Sequence, residues 1–593
     1  MIQKRVHNLS QEECQEIGGS GAVFLVGSAI SAYYPTNLPT GFEIVKKNYE
    51  YIFKQYKNCD WLRKEFSEMP FEALNECFPF EGKLPQVFKS LFTNVPYNDL
   101  HKCLAKNLMT KKISAIITPN YDMAIDRCLA DSKSVIRMWD TDSCADFNRN
   151  KKRNATNTVY FKIHGSIDKT DSIIFLLTQE RTLDHEKDRA LQKLLANRIL
   201  VIAGYSGRDF DICSLISNQE KYGYKKIYWL KYANDHKEEE LSAYADHLLQ
   251  RCKDTVIVGG SILELLNTCF NQKTNLEYGL GTFNAENVYQ LDEISLAMWR
   301  IKILNRLSCA KICRQEMESN RYILDQKFYL EMLWDIYGST GEYKKSIQIS
   351  RKLLSVSKPG SAEYQLRLST ISGQLLSYNS FLSSYLYLYK AKRHLKHRSH
   401  KSDISPDEKT ELLNRISTFW TYLYKSFPFV KYFKVRALGA LEQLVAPNTY
   451  SNAQWVYKQG IKFNLSRLKL SNIEIPSEAE QVLESKKAYR NLGLPAYEIN
   501  AYRDELEKLP KKQLTQEEKN EFNKYITKAF LLGKYPEIWK LHKLRVTKFQ
   551  ETKEYYRSAL KIWLLYLNTT EYSLFGYVKT RIDFFKARYK RKL

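Results

Sequence analysis

The chain has 593 residues, of which 44% are apolar, with 41 tyrosines, 28 phenylalanines and a formal net charge of +25. It is too long for one hydrophobic core, which stops growing at about 250 to 300 residues, and too apolar to be disordered. No run of about 18 apolar residues occurs and residues 1–16 mix charge with polar groups, which excludes a membrane span and a secretory leader and points to a cytoplasmic protein.

In the first half, short β-branched runs alternate with helical patterns, the signature of a parallel sheet wrapped by helices. Strands are expected at 22–26, 114–117, 158–163, 199–203, 226–230 and 255–258. Between the first two lies a mostly helical stretch, about 42–109, too long for one crossover and read as an inserted helical layer. The alternation stops at 271–287, a segment rich in Gly, Asn and Thr. The expected division is therefore an α/β Rossmann-like domain over 1–275 and an all-helical region over 285–593.

In that second region Leu330, Leu333, Tyr337, Gly341, Tyr343, Ser346 and Leu354, with Pro359 after them, approximate one tetratricopeptide-type helical hairpin. Further helical patterns cover 363–398, 408–444, 452–470, 478–509, 516–543 and 551–590 with no clean 34-residue period, so an irregular helical-repeat-like array is expected.

Charge divides the same way. Residues 1–280 carry about +2 and residues 281–593 about +23, so an acidic partner would meet the second half. Basic clusters stand at Lys390, Lys392, Arg393, Lys396, Arg398 and Lys401, and in the tail at Arg581, Lys586, Arg588, Lys590, Arg591 and Lys592. Each reads equally well as a solvated face. No nucleic-acid module is visible, so partner proteins or self-assembly rank ahead of nucleic acid. The 11 cysteines form no CxxC pair and read as reduced core thiols. Cys309 and Cys313 share a helical face but lack two further ligands at zinc-site spacing, which makes them packing residues.

Four motifs carry candidate chemistry, each at the carboxyl end of an expected strand, where open α/β sheets bind ligands. The first strand runs into Gly27, Ser28, Ala29, Ile30 and Ser31, small residues that let the backbone approach a pyrophosphate, with Leu38-Pro39 before the next helix. The second gives Thr118, Pro119, Asn120, Tyr121 and Asp122, in which Asn120 or Asp122 serves either a ligand or a helix cap. The third delivers His164-Gly165-Ser166, and the fourth Gly204, Tyr205 and Ser206, with Asp209 behind them.

The order Gly-x-x-x-Ser, Thr-x-Asn-x-Asp, His-Gly-Ser, Gly-x-Ser over residues 20–270 resembles the sirtuin family. The resemblance implies that Gly27, Ser28, Ala29 and Ser31 line the adenosine-diphosphate and ribose path, that Asn120 and Asp122 hold the nicotinamide ribose with Thr118 among the cofactor-binding residues, and that Gly204, Tyr205 and Ser206 make the second nucleotide turn. His164 matches the family's general base. Two departures matter. Ala29 stands where sirtuins usually have glycine, and the 39 residues Gly165 to Ala203 contain no cysteine, so the four-cysteine zinc module of the deacylases is missing. Without its peptide cleft, acyl-lysine removal is disfavoured.

What remains resembles the sirtuin-like NADases of bacterial antiphage defence, in which such a domain is fused to a helical sensor. The implied activity is cleavage of NAD+, as substrate and without a metal, by Asn120 and a neutral His164. The implied partners are a companion defence subunit, a phage protein or further copies of the chain. A non-catalytic scaffold that binds NAD or an ADP-ribose derivative is the alternative.

Overall fold

A computed structural model describes residues 9–547 apart from 57–58, 151–156, 178, 181–183, 217, 232, 235–236, 239–244, 246–248, 250–253, 272–278, 280–282, 378–379, 400–405, 427–430, 446–484, 491, 493, 510–513 and 533. The chain forms two compact units, Met1–Asp292 and Glu293–Leu593.

The first unit is built on seven strands: β1 (Val23–Val26), β2 (Ala115–Thr118), β3 (Val135–Met138), β4 (Thr158–Lys162), β5 (Ile199–Ala203), β6 (Lys226–Lys231) and β7 (Thr255–Gly259). They lie in the order β3-β4-β2-β1-β5-β6-β7 and every pair is parallel. Parallel strands buried on both faces need apolar side chains at every position, and β1, Val-Phe-Leu-Val, is buried throughout. Register then sorts the side chains by face. Phe24 aligns with Ile116 and Val201, and these join one core; Val23 and Leu25 align with Ala115 and Ile117 and with Leu200 and Ile202, and these join the other.

Helices cover both cores. The chain leaves β1 in one direction, through β2 and out to β3, and returns to the far side of β1 as β5. The topological switch lies between β1 and β5, where such sheets open a crevice at their carboxyl ends.

Helix α1 (Gln11–Gly19) precedes β1. Between β1 and β2 stand five helices: α2 (Gly41–Ile52), α3 (Asp60–Ser67), α4 (Phe71–Glu76), α5 (Leu84–Thr93) and α6 (Asp99–Met109). An aromatic cluster packs this layer, with Phe88 against Phe71, Phe92, Phe175 and Tyr289 at ring separations of 5.4–5.8 Å. Tyr289 also accepts a hydrogen bond from Asn48 at 3.1 Å, which ties the last helix of the unit, Ala285–Tyr289, to the layer. Of these seven strands, β3 is the one that sequence reading misses. It is an edge strand with Ile136 and Arg137 only half-buried, so its four residues show neither a continuous apolar run nor a clear alternation.

In the second unit the described residues contain helices and no strand, from Glu293–Arg306 to Tyr535–Thr547. Helices Gln326–Thr340 and Tyr343–Val356 form a hairpin around Gly341, whose φ of 86° ends the first helix, and Ser346 Oγ donates to the Trp334 carbonyl at 2.8 Å. Lys390, Lys392, Arg393 and Lys396 are exposed on helix Phe381–Ser399; Lys401 and the basic tail lie outside the described residues, as do the helical patterns at 452–470 and 551–590. Every cysteine among the described residues is a free thiol, and Cys309 and Cys313 are buried, each directing its sulfur at a backbone carbonyl of its own unit. No helix among the described residues is long and apolar enough to cross a membrane.

Candidate functional site

At the carboxyl edge of the sheet, the turns after β1, β2, β4 and β5 converge on a cavity of about 590 Å³, within the usual range for small-molecule and cofactor sites. Ser28, Ala29, Ser31, Asn120, Asp122, His164, Gly204, Tyr205 and Ser206 all line it. Gly27 and Thr118 stand behind the wall and shape it.

The turns after β1 and β5 meet backbone to backbone. Gly27 donates to the Ala203 carbonyl at 3.0 Å and Ala29 donates to that of Gly204 at 3.3 Å. A Cβ on Gly27 would stand 2.2 Å from the Gly204 oxygen, so only glycine fits there. Ser28–Ser31 then form one 3-10 turn, and the chain reaches α2, whose N-terminus is closed by Thr40 and Glu43 in a reciprocal capping box. Thr40, Gly41 and Phe42 line the cavity, and the Arg208 guanidinium, the only Lys or Arg head among the lining residues, lies 5.7 Å over the Phe42 ring.

The turn after β2 is held from below. Thr118 Oγ1 donates to the Val26 carbonyl at 2.7 Å and accepts from the Asn120 N–H at 3.1 Å. Asn120 Nδ2 donates to the Gly27 carbonyl at 3.2 Å, which leaves the side-chain oxygen as its acceptor for a ligand. Asp122 accepts from the Ala124 N–H at 2.9 Å and from Ser31 Oγ at 3.0 Å. Beneath the turn, the fully buried Lys162 donates to the carbonyls of Tyr121 (3.2 Å) and Asp122 (2.7 Å) and to Ser166 Oγ (2.8 Å), and pairs with Asp126 at 3.1 Å. One lysine therefore joins the second motif to the third.

His164 is 1% exposed, and its Nε2 meets both Asp211 oxygens at 3.1 and 3.2 Å. Burial disfavours the imidazolium, but the Asp211 charge and hydrogen bond, with Asp209 and Glu72 behind them, outweigh it and raise the ring to about 9. The neutral imidazole expected from sequence is thus corrected: at neutral pH His164 and Asp211 form a buried ion pair. Burial likewise opposes the charge on Asp211, yet His164, the Ile212 N–H and Lys187 hold its carboxyl below the usual range.

Glu72 of α4 closes the same end of the cavity. Burial, and then the Asp209 charge, push its carboxyl up to about 8, and burial raises Asp209 too. Oxygens of Glu72, Glu180 and Asp209 lie within 4.8 Å of one another, a spacing that could hold a metal, though the raised carboxyls favour protons there. The cavity thus holds one guanidinium, Arg208, and two carboxyls, Glu72 and Asp209, which with Asp211 surround His164. Asp211, Glu72, Arg208 and Lys162 escape sequence reasoning because their relation to the motifs is tertiary; Asp211 is 47 residues from His164. The Asp-x-Asp spacing at Asp209 and Asp211 is the one local hint.

Residues 114–250 match the family model described as a SIR2-like domain, a stretch that carries β2, β4 and β5 with Asn120, Asp122, His164, Asp209 and Asp211. No curated protein matches the chain. Among solved structures the chain is similar to a Signal Transduction ATPase with Numerous Domains (STAND) protein with a tetratricopeptide repeat sensor from Pyrococcus horikoshii, at 10% identity, covering 94% of this chain and 89% of that one, with a TM-score of 0.24. A likeness at that level carries no argument about fold or function.

Proposed function

We propose that the chain is an NAD+ glycohydrolase that cleaves NAD+ to nicotinamide and ADP-ribose. The observation that carries this reading is the convergence, in one cavity, of the Asn120 amide, the Asp122 carboxylate and His164, which is paired behind the wall with the buried Asp211. The match of residues 114–250 to the SIR2-like model supports an NAD-related site.

The nicotinamide of NAD+ leaves as a neutral molecule, so no acid is needed; the barrier lies in the oxocarbenium-like ribose. As the glycosidic C–N bond breaks, its electron pair goes to the nicotinamide nitrogen, and Asp122 stabilises the positive charge left on the sugar. A water oriented by the Asn120 side-chain oxygen then forms the new C–O bond. Its proton passes to His164, which can accept it only in the neutral form, so the rate should climb with pH toward about 9. His164→Ala or Asn120→Ala should lower turnover by about 10² to 10⁴, the typical worth of a positioned base.

In this reading the activity is the NAD-depleting effector of an antiphage, abortive-infection system. The helical unit would regulate it by binding a companion subunit, a phage protein or another copy of the chain, and its charge of about +23 over 281–593 favours an acidic partner. A second reading, a non-catalytic sensor of NAD or an ADP-ribose derivative, draws on the same ion pair: a histidine held charged is a donor for ligand oxygens and not a base. The deciding experiment measures nicotinamide release by the purified full chain, and NAD content in cells expressing wild type or His164→Ala with and without phage challenge. Release by the wild type alone supports the hydrolase. Binding of NAD with no release in either setting would replace it with the sensor.

A further inference from the structure

The helical layer places a second buried histidine behind the cavity wall, one that no motif contains. His101, in the first turn of α6, is 0% exposed. Its surroundings fix its protonation state by geometry. The Asn98 N–H lies 3.1 Å from Nδ1, and a backbone N–H can only donate, so Nδ1 carries a lone pair. Thr36 Oγ1 lies 3.4 Å from the same nitrogen. Burial pulls the ring down to about 4, against the opposing pull of Asp122, so the imidazole is neutral and its one proton sits on Nε2.

That nitrogen is 3.2 Å from Ser31 Oγ, which therefore accepts from it and spends its own proton on Asp122, 3.0 Å away. The hydrogen bonds run in one direction, from Asn98 through His101 and Ser31 to Asp122. Asn98 is fixed in turn: its Oδ1 accepts from the His101 N–H at 3.2 Å, and its Nδ2 donates to the Ile30 carbonyl at 2.8 Å.

We propose that His101 is a positioning residue that turns Ser31 and Asp122 into an acceptor-only wall, selective for the vicinal hydroxyls of a ribose. Both residues line the cavity, and with the Ser31 proton committed and both Asp122 oxygens already engaged, the groups present only lone pairs to a ligand. Ribose hydroxyls can donate to such a wall; a phosphate or carboxylate in their place is repelled. This inference rests on the NAD-binding reading for its ligand, whereas the hydrogen-bond line stands on the protein alone.

Two measurements on the full-length chain test it. The first is ¹⁵N NMR of histidine-labelled protein at pH 7, with the His101 signals assigned by their loss in His101→Gln. The neutral Nε2–H tautomer is expected; an Nδ1–H tautomer or an imidazolium overturns the proposal, whatever the protein binds. The second is calorimetric titration with ADP-ribose. His101→Leu should weaken binding by about ten- to a hundredfold, the worth of a hydrogen bond to a charged acceptor. His101→Gln, which keeps a donor at the same reach, should restore most of it. In a Ser31→Ala background His101→Leu should cost nothing further; an equal loss there would mean that the ring acts only by packing, and would refute the line. Should His101→Leu fail to fold, Ser31→Ala alone must reproduce the affinity loss, and normal affinity would overturn the proposal. If wild type binds no ADP-ribose, the NAD reading falls, and the tautomer still decides the hydrogen-bond line.

Discussion

Replacing Asp211 by asparagine removes one negative charge from beside His164 while keeping the shape of the side chain. His164 stands at about 9 against an ordinary 6.5, a preference for the charged ring of roughly 3 kcal/mol. Asp211 is the largest favourable contributor, and Glu72, itself pushed to about 8, is mostly uncharged at pH 7. Without Asp211, burial prevails and the imidazole should titrate at or below 6.5. The assay is a pH profile of kcat/KM for nicotinamide release between pH 6 and 10. In wild type the logarithm should rise with pH and level near 9; in Asp211→Asn the rise should end about 2.5 units lower or more, on a plateau reduced by the lost orientation of the ring. Stability follows the same proton. A pKa raised by folding stabilises fully below the unfolded value of 6.5, and that contribution is lost as pH rises through about 9. The unfolding midpoint of wild type should therefore drop over this window more than that of Asp211→Asn. A profile unmoved by the substitution would refute the assignment of His164 as the titrating base.

Glu72→Gln should behave as a permanently protonated Glu72: its carboxyl is raised from 4.5 to about 8, so wild type loses stability as pH rises through 8 and the variant should gain relative to it at pH 9 and not at pH 4, read by thermal melts. Gly27→Ala drives a methyl into the Gly204 carbonyl, and a destabilisation of about 1–3 kcal/mol or more is expected in chemical denaturation, with loss of nucleotide binding; normal stability would show that the two turns can part. Lys162→Met leaves the partly buried Asp126 without its ion-pair partner and frees the carbonyls of Tyr121 and Asp122. It should cost about 3–5 kcal/mol and raise KM together with any fall in kcat.

Much of the scaffold is legible in the sequence because a parallel strand buried on both faces must be apolar throughout. Val-Phe-Leu-Val in β1 and Ile-Leu-Val-Ile-Ala in β5 admit no other reading of comparable simplicity, and the small residues that follow each strand mark where the backbone must turn sharply. Strand β3 lacks that mark because its edge position leaves Ile136 and Arg137 half in solvent. The site divides similarly. Asn120, Asp122 and His164 are legible because strand ends present them, but the charge on His164 and the direction of the Ser31 hydrogen bonds are not, since these depend on Asp211 and His101, brought in by helices far along the chain. A histidine followed by glycine says where the ring is; it does not say what charge it carries.

The helices between β1 and β2 contribute Glu72, Phe71, Phe92 and, one layer back, His101, so a large part of the wall facing the ligand is not made by the sheet. Strand pairing constrains β1 and β2 to each other across this excursion, but places no demand on its length or composition. Substitutions in the excursion can alter ligand shape and the balance of buried protons while the strand-end residues stay fixed. Selectivity can thus drift during evolution on a scaffold whose reacting groups do not move, and chains that share the strand-end motifs need not share a substrate.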